Sequence, residues 1–417
     1  MKPRRKPPST LAAVGTVAVA TVLNPLNTSM IAVALPELGR VFGVSASTLI
    51  WLVSAFALAS AVGHPLAGRL ADGLGPRRVL VAGLVIAGAS GLAASYAVTF
   101  PVLVALRALL ALGTSTTFPA GLGVLRSLEV PDGSNRPVPA GWLGAVAMSG
   151  NLSAALGPVV GGSLIATAGW RAIFLVNVPI AIAGIGLALR HLPADPDPGR
   201  RPPEVSVRRG TLATRGPLLS VYARFATACV VFFSFFFALP LWLEHVGQLS
   251  APMTGLMVLP LAGGAALAMP FAIWTVSRAG TPWALVFGAG GLCLGAALLT
   301  TVGVQAWIVA LLAAGLSLGV SNAFNNLGLQ AELSHLAMRE AIGTAAGLFQ
   351  TARFIGAALA GGLVGVIFVD EPSTDSLHRL SVLNGVLSLA LLAWAAERAV
   401  AARAVVGVAH PRRLQGQ

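Results

Sequence analysis

Gly68-Arg69-Leu70-Ala71-Asp72-Gly73-Leu74-Gly75-Pro76-Arg77-Arg78 is a short charged stretch set between two long apolar runs, at about residues 48–71 and 79–98. A helix needs about 20 apolar residues to cross a bilayer, and each run has that length. The stretch therefore reads as the tight turn of a hairpin of two spans. Its residues suit the place. Gly68 lets two helices approach closely. Asp72 can cap a neighbouring helix N-terminus and pair with Arg77 or Arg78.

The same pattern extends in both directions. Spans are predicted at 11–36, 48–71, 79–98, 101–123, 139–165 and 171–190, then at 217–243, 253–276, 282–302, 306–330, 341–368 and 380–402. A polar linker covers 191–216, a basic N-terminus 1–10 and a polar tail 403–417. The expected domains are a six-helix bundle over 11–190 and a second over 217–402. The basic start followed by an apolar run is read as an uncleaved first helix rather than a signal peptide.

Composition agrees. The chain has 417 residues, 56% hydrophobic and 10% charged, where a soluble chain carries about 25% charge. The long apolar runs lack the alternation of a barrel strand, so the expected class is an all-α membrane protein. Cys229 and Cys293 each lie in an apolar run and form no metal or disulfide pattern. No metal or cofactor is expected.

The net charge of +13 invites a nucleic-acid reading. Its distribution argues for topology instead. With the N-terminus inside, the Lys and Arg residues collect on the inner side, save Arg40, Arg171 and Arg379 outside and Arg107 and Arg353 within spans. Both termini are then cytoplasmic, and no nucleic-acid partner is expected.

The 68–78 stretch resembles the major facilitator signature G-x-L-A-D-x-x-G-x-[RK]-[RK]. In span 5, Gly157-Pro158 with Gly161-Gly162 looks like the antiporter motif, and Trp170-Arg171 through Asn177 and Pro179 looks like the start of the following span. The resemblance extends to Ala34-Leu35-Pro36, to Arg107 with Gly113 and Pro119, and to Gly347, Arg353 and Gly356. It implies the major facilitator fold, twelve helices in two pseudo-symmetric halves. It also implies the drug:proton antiporter branch, although many members of that branch have fourteen spans.

One departure bears on mechanism. That branch usually carries an acid in span 1 where this chain has Asn27. All 14 Asp and Glu residues fall in loops or near span ends on this map, whereas intramembrane carboxylates are the usual proton relays. His64, one turn before Gly68, can titrate in their place or simply hydrogen-bond at a gate.

The remaining candidates are polar groups inside spans. Arg107 lies about 10 Å in from the end of span 4, and Arg353 near the middle of span 11. A charge there costs about 2.5–3.5 kcal/mol on insertion scales, so each must meet a cavity, backbone carbonyls or polar partners. Asn24 and Asn27 share a face of span 1. Asn322, Asn325 and Asn326 form a stripe in span 10. Each serves either substrate contact or interhelical bonding. Phe235 stands in the run Phe232–Phe237, lining an apolar pocket or packing.

The expected function is export of a small amphipathic drug or metabolite across the plasma membrane by alternating access, with protons as coupling ion, by a monomer in the lipid bilayer. Two alternatives stay open: exchange or facilitation of an anionic solute through Arg107, and a receptor or scaffold without transport. No zinc spacing, nucleophile elbow or nucleotide loop points to an enzyme.

Overall fold

The computed structural model describes residues 10–44, 46–129, 138–195, 214, 216–249, 251–303, 307–338, 341–368 and 373–409. Most of the predicted linker, the extreme N-terminus and the last residues of the tail lie outside these. The described residues form helices and no strand.

In chain order the helices are α1 (Thr10–Thr21), α2 (Leu23–Phe42), α3 (Ala46–Leu74), α4 (Pro76–Ser95), α5 (Phe100–Thr114), α6 (Thr117–Glu129), α7 (Ala140–Ala168), α8 (Ala172–Leu175) and α9 (Asn177–His191). There follow α10 (Gly216–His245), α11 (Ala251–Arg278), α12 (Thr281–Thr300), α13 (Trp307–Leu336), α14 (Ile342–Ile367) and α15 (Thr374–Ala409). Taken together they supply 12 segments long and apolar enough to cross a membrane. Large apolar side chains such as Leu58, Val62, Val159, Leu267 and Val366 stand exposed along them. Water would penalise that surface; lipid does not.

Three spans are broken, each for a local reason. In span 4, Thr114, Ser115, Thr116 and Thr117 all turn their hydroxyls onto carbonyls one turn back, at 2.6–3.2 Å. Such bonds compete with the helical ladder, and α5 gives way to α6 there. In span 6, Pro179 cannot donate to Leu175, and the chain breaks at Val176 between α8 and α9. Span 1 breaks at Val22, where α7 supports the interrupted backbone. Ser149 donates to Ala18 O at 3.1 Å and Ser153 to Val22 O at 2.8 Å.

The chain divides into two compact units, Met1–Tyr222 with Leu333–Phe354, and Ala223–Glu332 with Ile355–Gln417. The division falls inside α10, α13 and α14. The α13–α14 hairpin around 333–344 therefore groups with the first unit. In that unit α2 packs on α7, and α4 on α5 and α9; in the second, α12 packs on α15. Span 10 was expected to end at 330. The helix instead runs to Leu336, because the charge it takes in, Glu332, is paired.

Candidate functional site

The charged hairpin is built around two carboxylates. The chain turns between α3 and α4 at Gly75, whose φ of 108° excludes a side chain. A Cβ there would also collide with the Asp195 carboxylate. That carboxylate receives Arg77 N–H at 3.2 Å and Arg78 N–H at 2.7 Å, so it caps α4. The Arg77 side chain reaches Leu189 O at 2.8 Å, and Arg78 reaches Leu74 O at 3.2 Å.

Asp72 caps a different helix. It accepts Gly343 N–H at 2.8 Å, Thr344 N–H at 2.7 Å and the Thr344 hydroxyl at 2.6 Å. These are orphan donors at the N-terminus of α14, where negative charge is favoured. Glycines bring the helices that close. A Cβ on Gly68 would strike the Gly343 carbonyl, and one on Gly347 would strike the His64 carbonyl.

The other arm of the same hairpin is held by a cation. Arg126 on α6 is 1% exposed and donates to Ser334 O at 2.5 Å and Ala337 O at 3.4 Å. Those carbonyls end α13, where positive charge is favoured. In sequence Arg126 lies three residues beyond the predicted end of span 4, at 123, and reads as one of the inner-side loop charges. Its only signal is that it follows an apolar run by a few residues, which holds for many loop arginines.

A second cluster joins spans 1, 2, 4 and 6. Asn27, 2% exposed, exchanges amide bonds with Asn177 at 2.6 and 3.1 Å and also reaches Leu23 O at 2.8 Å. Asn177 further donates to Phe174 O at 3.0 Å. Arg107, 2% exposed, gives Nε to Leu52 O at 2.7 Å and Nη2 to Asn27 O at 3.2 Å, with Phe56 under its guanidinium. Both residues thus bind helices together. Half-buried Asn24 instead meets Thr114 Oγ1 at 3.1 Å. Beside them Gly157 and Gly161 let α7 lie on Ser29 and Met30 of α2, while Gly162 faces Val33 and Pro158 is exposed.

A third group lies on the seam of α3 and α14. His64 is 3% exposed, its Nδ1 2.6 Å from Ser60 O and its ring 5.4 Å from that of Phe354. Arg353, beside Phe354 on α14, is half-buried. Thr351 ties the seam by donating to Ala61 O at 3.0 Å.

The candidates of the second unit do not share one face. Asn325 turns toward α12, where a Cβ on Gly288 would meet it at 2.8 Å, and bonds Ser321 O at 3.1 Å. Asn326 accepts from Gln330 on its own helix, and Asn322 is half-buried. Phe235 is fully buried in the core with Leu239, Leu261 and Leu318. The part-exposed rings of α10 are Phe232, Phe233, Phe236 and Phe237, so the pocket-lining reading of Phe235 gives way to packing.

Sequence reading missed one polar centre in this unit. Glu332, 9% exposed, is held by both arms of Arg224 at 2.8 and 2.9 Å and by Arg398 at 3.1 Å. Trp394 lies beneath both guanidiniums, 3.3 Å from Arg224 and 4.7 Å from Arg398. Read singly, these charges looked like span ends. Burial is tolerated because the carboxylate is paired bidentately.

The model of the Major Facilitator Superfamily matches residues 17–361. The chain belongs to that superfamily. It is a multi-pass transporter of the major facilitator fold and not an enzyme. A Bacillus subtilis relative, the uncharacterized MFS-type transporter YwoD, is 30% identical over 88% of this chain and 92% of its own. The tetracenomycin C resistance and export protein of Streptomyces glaucescens is 27% identical over 85% of this chain and 75% of its own. The methyl viologen resistance protein SmvA of Salmonella typhimurium and the multidrug efflux pump LfrA of Mycolicibacterium smegmatis match over less than half of their own length. The solved proton:xylose symporter XylE shares the fold with a TM-score of 0.68 at 14% identity, over 91% of this chain and 94% of its own.

Proposed function

We propose that the chain exports a small amphipathic drug-like molecule or metabolite across the plasma membrane, by alternating access and in exchange for protons, as a monomer with both termini in the cytoplasm. The observation that carries this reading is the hold on the α13–α14 hairpin. Asp72 grips the start of α14 and Arg126 the end of α13, each through charge-assisted bonds. Such bonds contribute about 1.5–3 kcal/mol each. That is enough to favour one state and little enough to be overcome by a ligand or a proton. Protonation of Asp72 removes the charge that faces the α14 N-terminus and loosens the hold.

Export rather than uptake draws support from the Gly157–Gly161 packing of span 5 on span 1 and from the exporter relatives. The likeness to an export protein over most of both chains also supports transport over a transport-inactive receptor. Exchange of an anion through Arg107 is not favoured, because the side chain is buried and its Nε and Nη2 are engaged by the Leu52 and Asn27 carbonyls. A growth screen with and without the gene, over many amphipathic compounds, tests the reading. Expression is expected to raise tolerance to some of them. Unchanged or lowered tolerance across the whole set rejects export.

A further inference from the structure

Most carboxamides inside the spans are taken up by bonds within or between helices. Asn27 pairs with Asn177, Asn325 bonds Ser321 O, Asn326 takes Gln330, and Asn384 bonds Leu380 O at 3.0 Å. Asn322 does not join them. It makes no hydrogen bond with any described residue. It is half-buried, and its amide atoms are not sealed off as the unpartnered Oδ1 of Asn384 is. It lies about 22 Å from the start of α13 and about 21 Å from its end, at 1.5 Å per residue, and so at mid-depth. An open amide there is costly against hydrocarbon. The apolar exposed strip of this helix lies elsewhere: Ala313, Leu316 and half-buried Val320 stand about 120–180° round from Asn322. Asn322 opens instead between two packed seams. On one side Gly319 meets the Pro260 and Leu261 carbonyls of α11, and on the other Leu318 and Ser321 meet Gly295 and Gly291 of α12. Its amide therefore faces water or a polar ligand.

Nothing charged stands beside it on these helices. Along α13 the nearest ionisable side chain is Glu332, about 15 Å on, and it is engaged by Arg224 of α10 and Arg398 of α15. The helix α12 has no charged residue, and α11 has Arg278 alone, at its end. An ion at mid-depth needs an opposite charge. A carboxamide offers two donors and an acceptor to a neutral group. Resting on the export reading, we propose that Asn322 is a specificity-determining residue of the second unit, and that the substrates are uncharged amphipathic molecules carrying a carboxamide, carbonyl or hydroxyl group. Asn322 Nδ2 donates to the substrate's oxygen, and Asn322 Oδ1 accepts from its N–H or O–H. A cation of the same shape leaves water and finds no carboxylate in exchange.

Calorimetric titration of the purified full chain with uncharged 2-naphthamide and with the cation 2-naphthylmethylammonium tests this. The wild type is expected to bind the amide at least about 10-fold more tightly, in keeping with the loss of a hydrogen-bonded group. Asn322→Leu loses most of that preference. Asn322→Asp reverses it toward the ammonium, which a merely structural role would not do. Because Asn322 bonds no described residue, Asn322→Leu is expected to unfold within about 2 °C of the wild type. Equal affinity for the two compounds, no binding of the amide, or an unaltered preference in Asn322→Leu or Asn322→Asp overturns the proposal. An Asn322→Leu protein that fails to fold also overturns it, since Asn322 would then be holding helices together. Should Asn322→Asp alone fail to fold, Asn322→Leu decides. The titration reads binding alone, so a chain that prefers the amide through Asn322 but raises tolerance to no compound defeats the export reading and leaves this recognition standing.

Discussion

Thr344 gives both its backbone N–H and its hydroxyl to one carboxylate oxygen of Asp72, at 2.7 and 2.6 Å. The second oxygen takes Gly343 N–H. Asp72→Asn keeps one acceptor but sets an NH2 group against a donor and removes the charge at the helix end. The amides of Gly343 and Thr344 are then expected to exchange hydrogen about 10- to 100-fold faster, in keeping with about 1.5–3 kcal/mol for a charge-assisted bond. Thr344→Val loses the hydroxyl alone and produces a smaller change. Hydrogen exchange read by mass spectrometry on peptides covering 341–346 measures both.

Arg126 acts on the other arm of the same hairpin. Arg126→Met leaves the Ser334 and Ala337 carbonyls buried without this donor and is expected to cost about 1–3 kcal/mol. Asp72 and Arg126 share the hairpin, so their effects are not independent. A double-mutant cycle on thermal stability in detergent is expected to give a coupling of at least about 0.5 kcal/mol. Strict additivity would mean that the two grips work separately.

Much of this architecture is legible in sequence, and the reason is physical. Apolar runs of spanning length and the Lys and Arg bias are one-dimensional signals, and the glycines of the 68–78 stretch serve a local turn and a close approach. What the sequence hides is pairing at a distance. Asp72 finds α14, while Asp195, read as a linker acid, takes the Arg77 and Arg78 amides. Arg126, Arg224 and Glu332 look like ordinary span-end charges until the fold brings their partners, and nothing in their spacing separates them from solvated neighbours. Asn27 was legible as a departure from an acid, but not its partner Asn177, which is 150 positions away.

The Glu332 triad yields a third expectation. Glu332→Gln leaves Arg224, Arg398 and their shared Trp394 with two cations and no anion. Removing one partner of a buried pair costs about 3–5 kcal/mol. A combined Arg224→Met and Glu332→Leu change removes the buried pair together and is expected to recover a large part of that loss. Thermal unfolding of the three proteins in one detergent compares them; a single variant as stable as wild type would show that the triad contributes nothing.

Asn27 and Arg107 are expected to affect stability rather than substrate choice. Asn27→Leu takes from the buried Asn177 Oδ1 the donor it has from Asn27, at about 1–3 kcal/mol, and lowers the yield of folded protein. The order in which compounds are tolerated in the growth screen stays the same. A reordered list for Asn27→Leu would return this residue to the substrate path.

Proton-driven export is measured in everted membrane vesicles that contain the protein, by following uptake of a compound picked out by the growth screen, with and without an imposed pH gradient, acid inside. Uptake is expected to rise several-fold with the gradient, to collapse when a protonophore is added, and to be lost in Asp72→Asn. Uptake of equal extent with and without the gradient would contradict it.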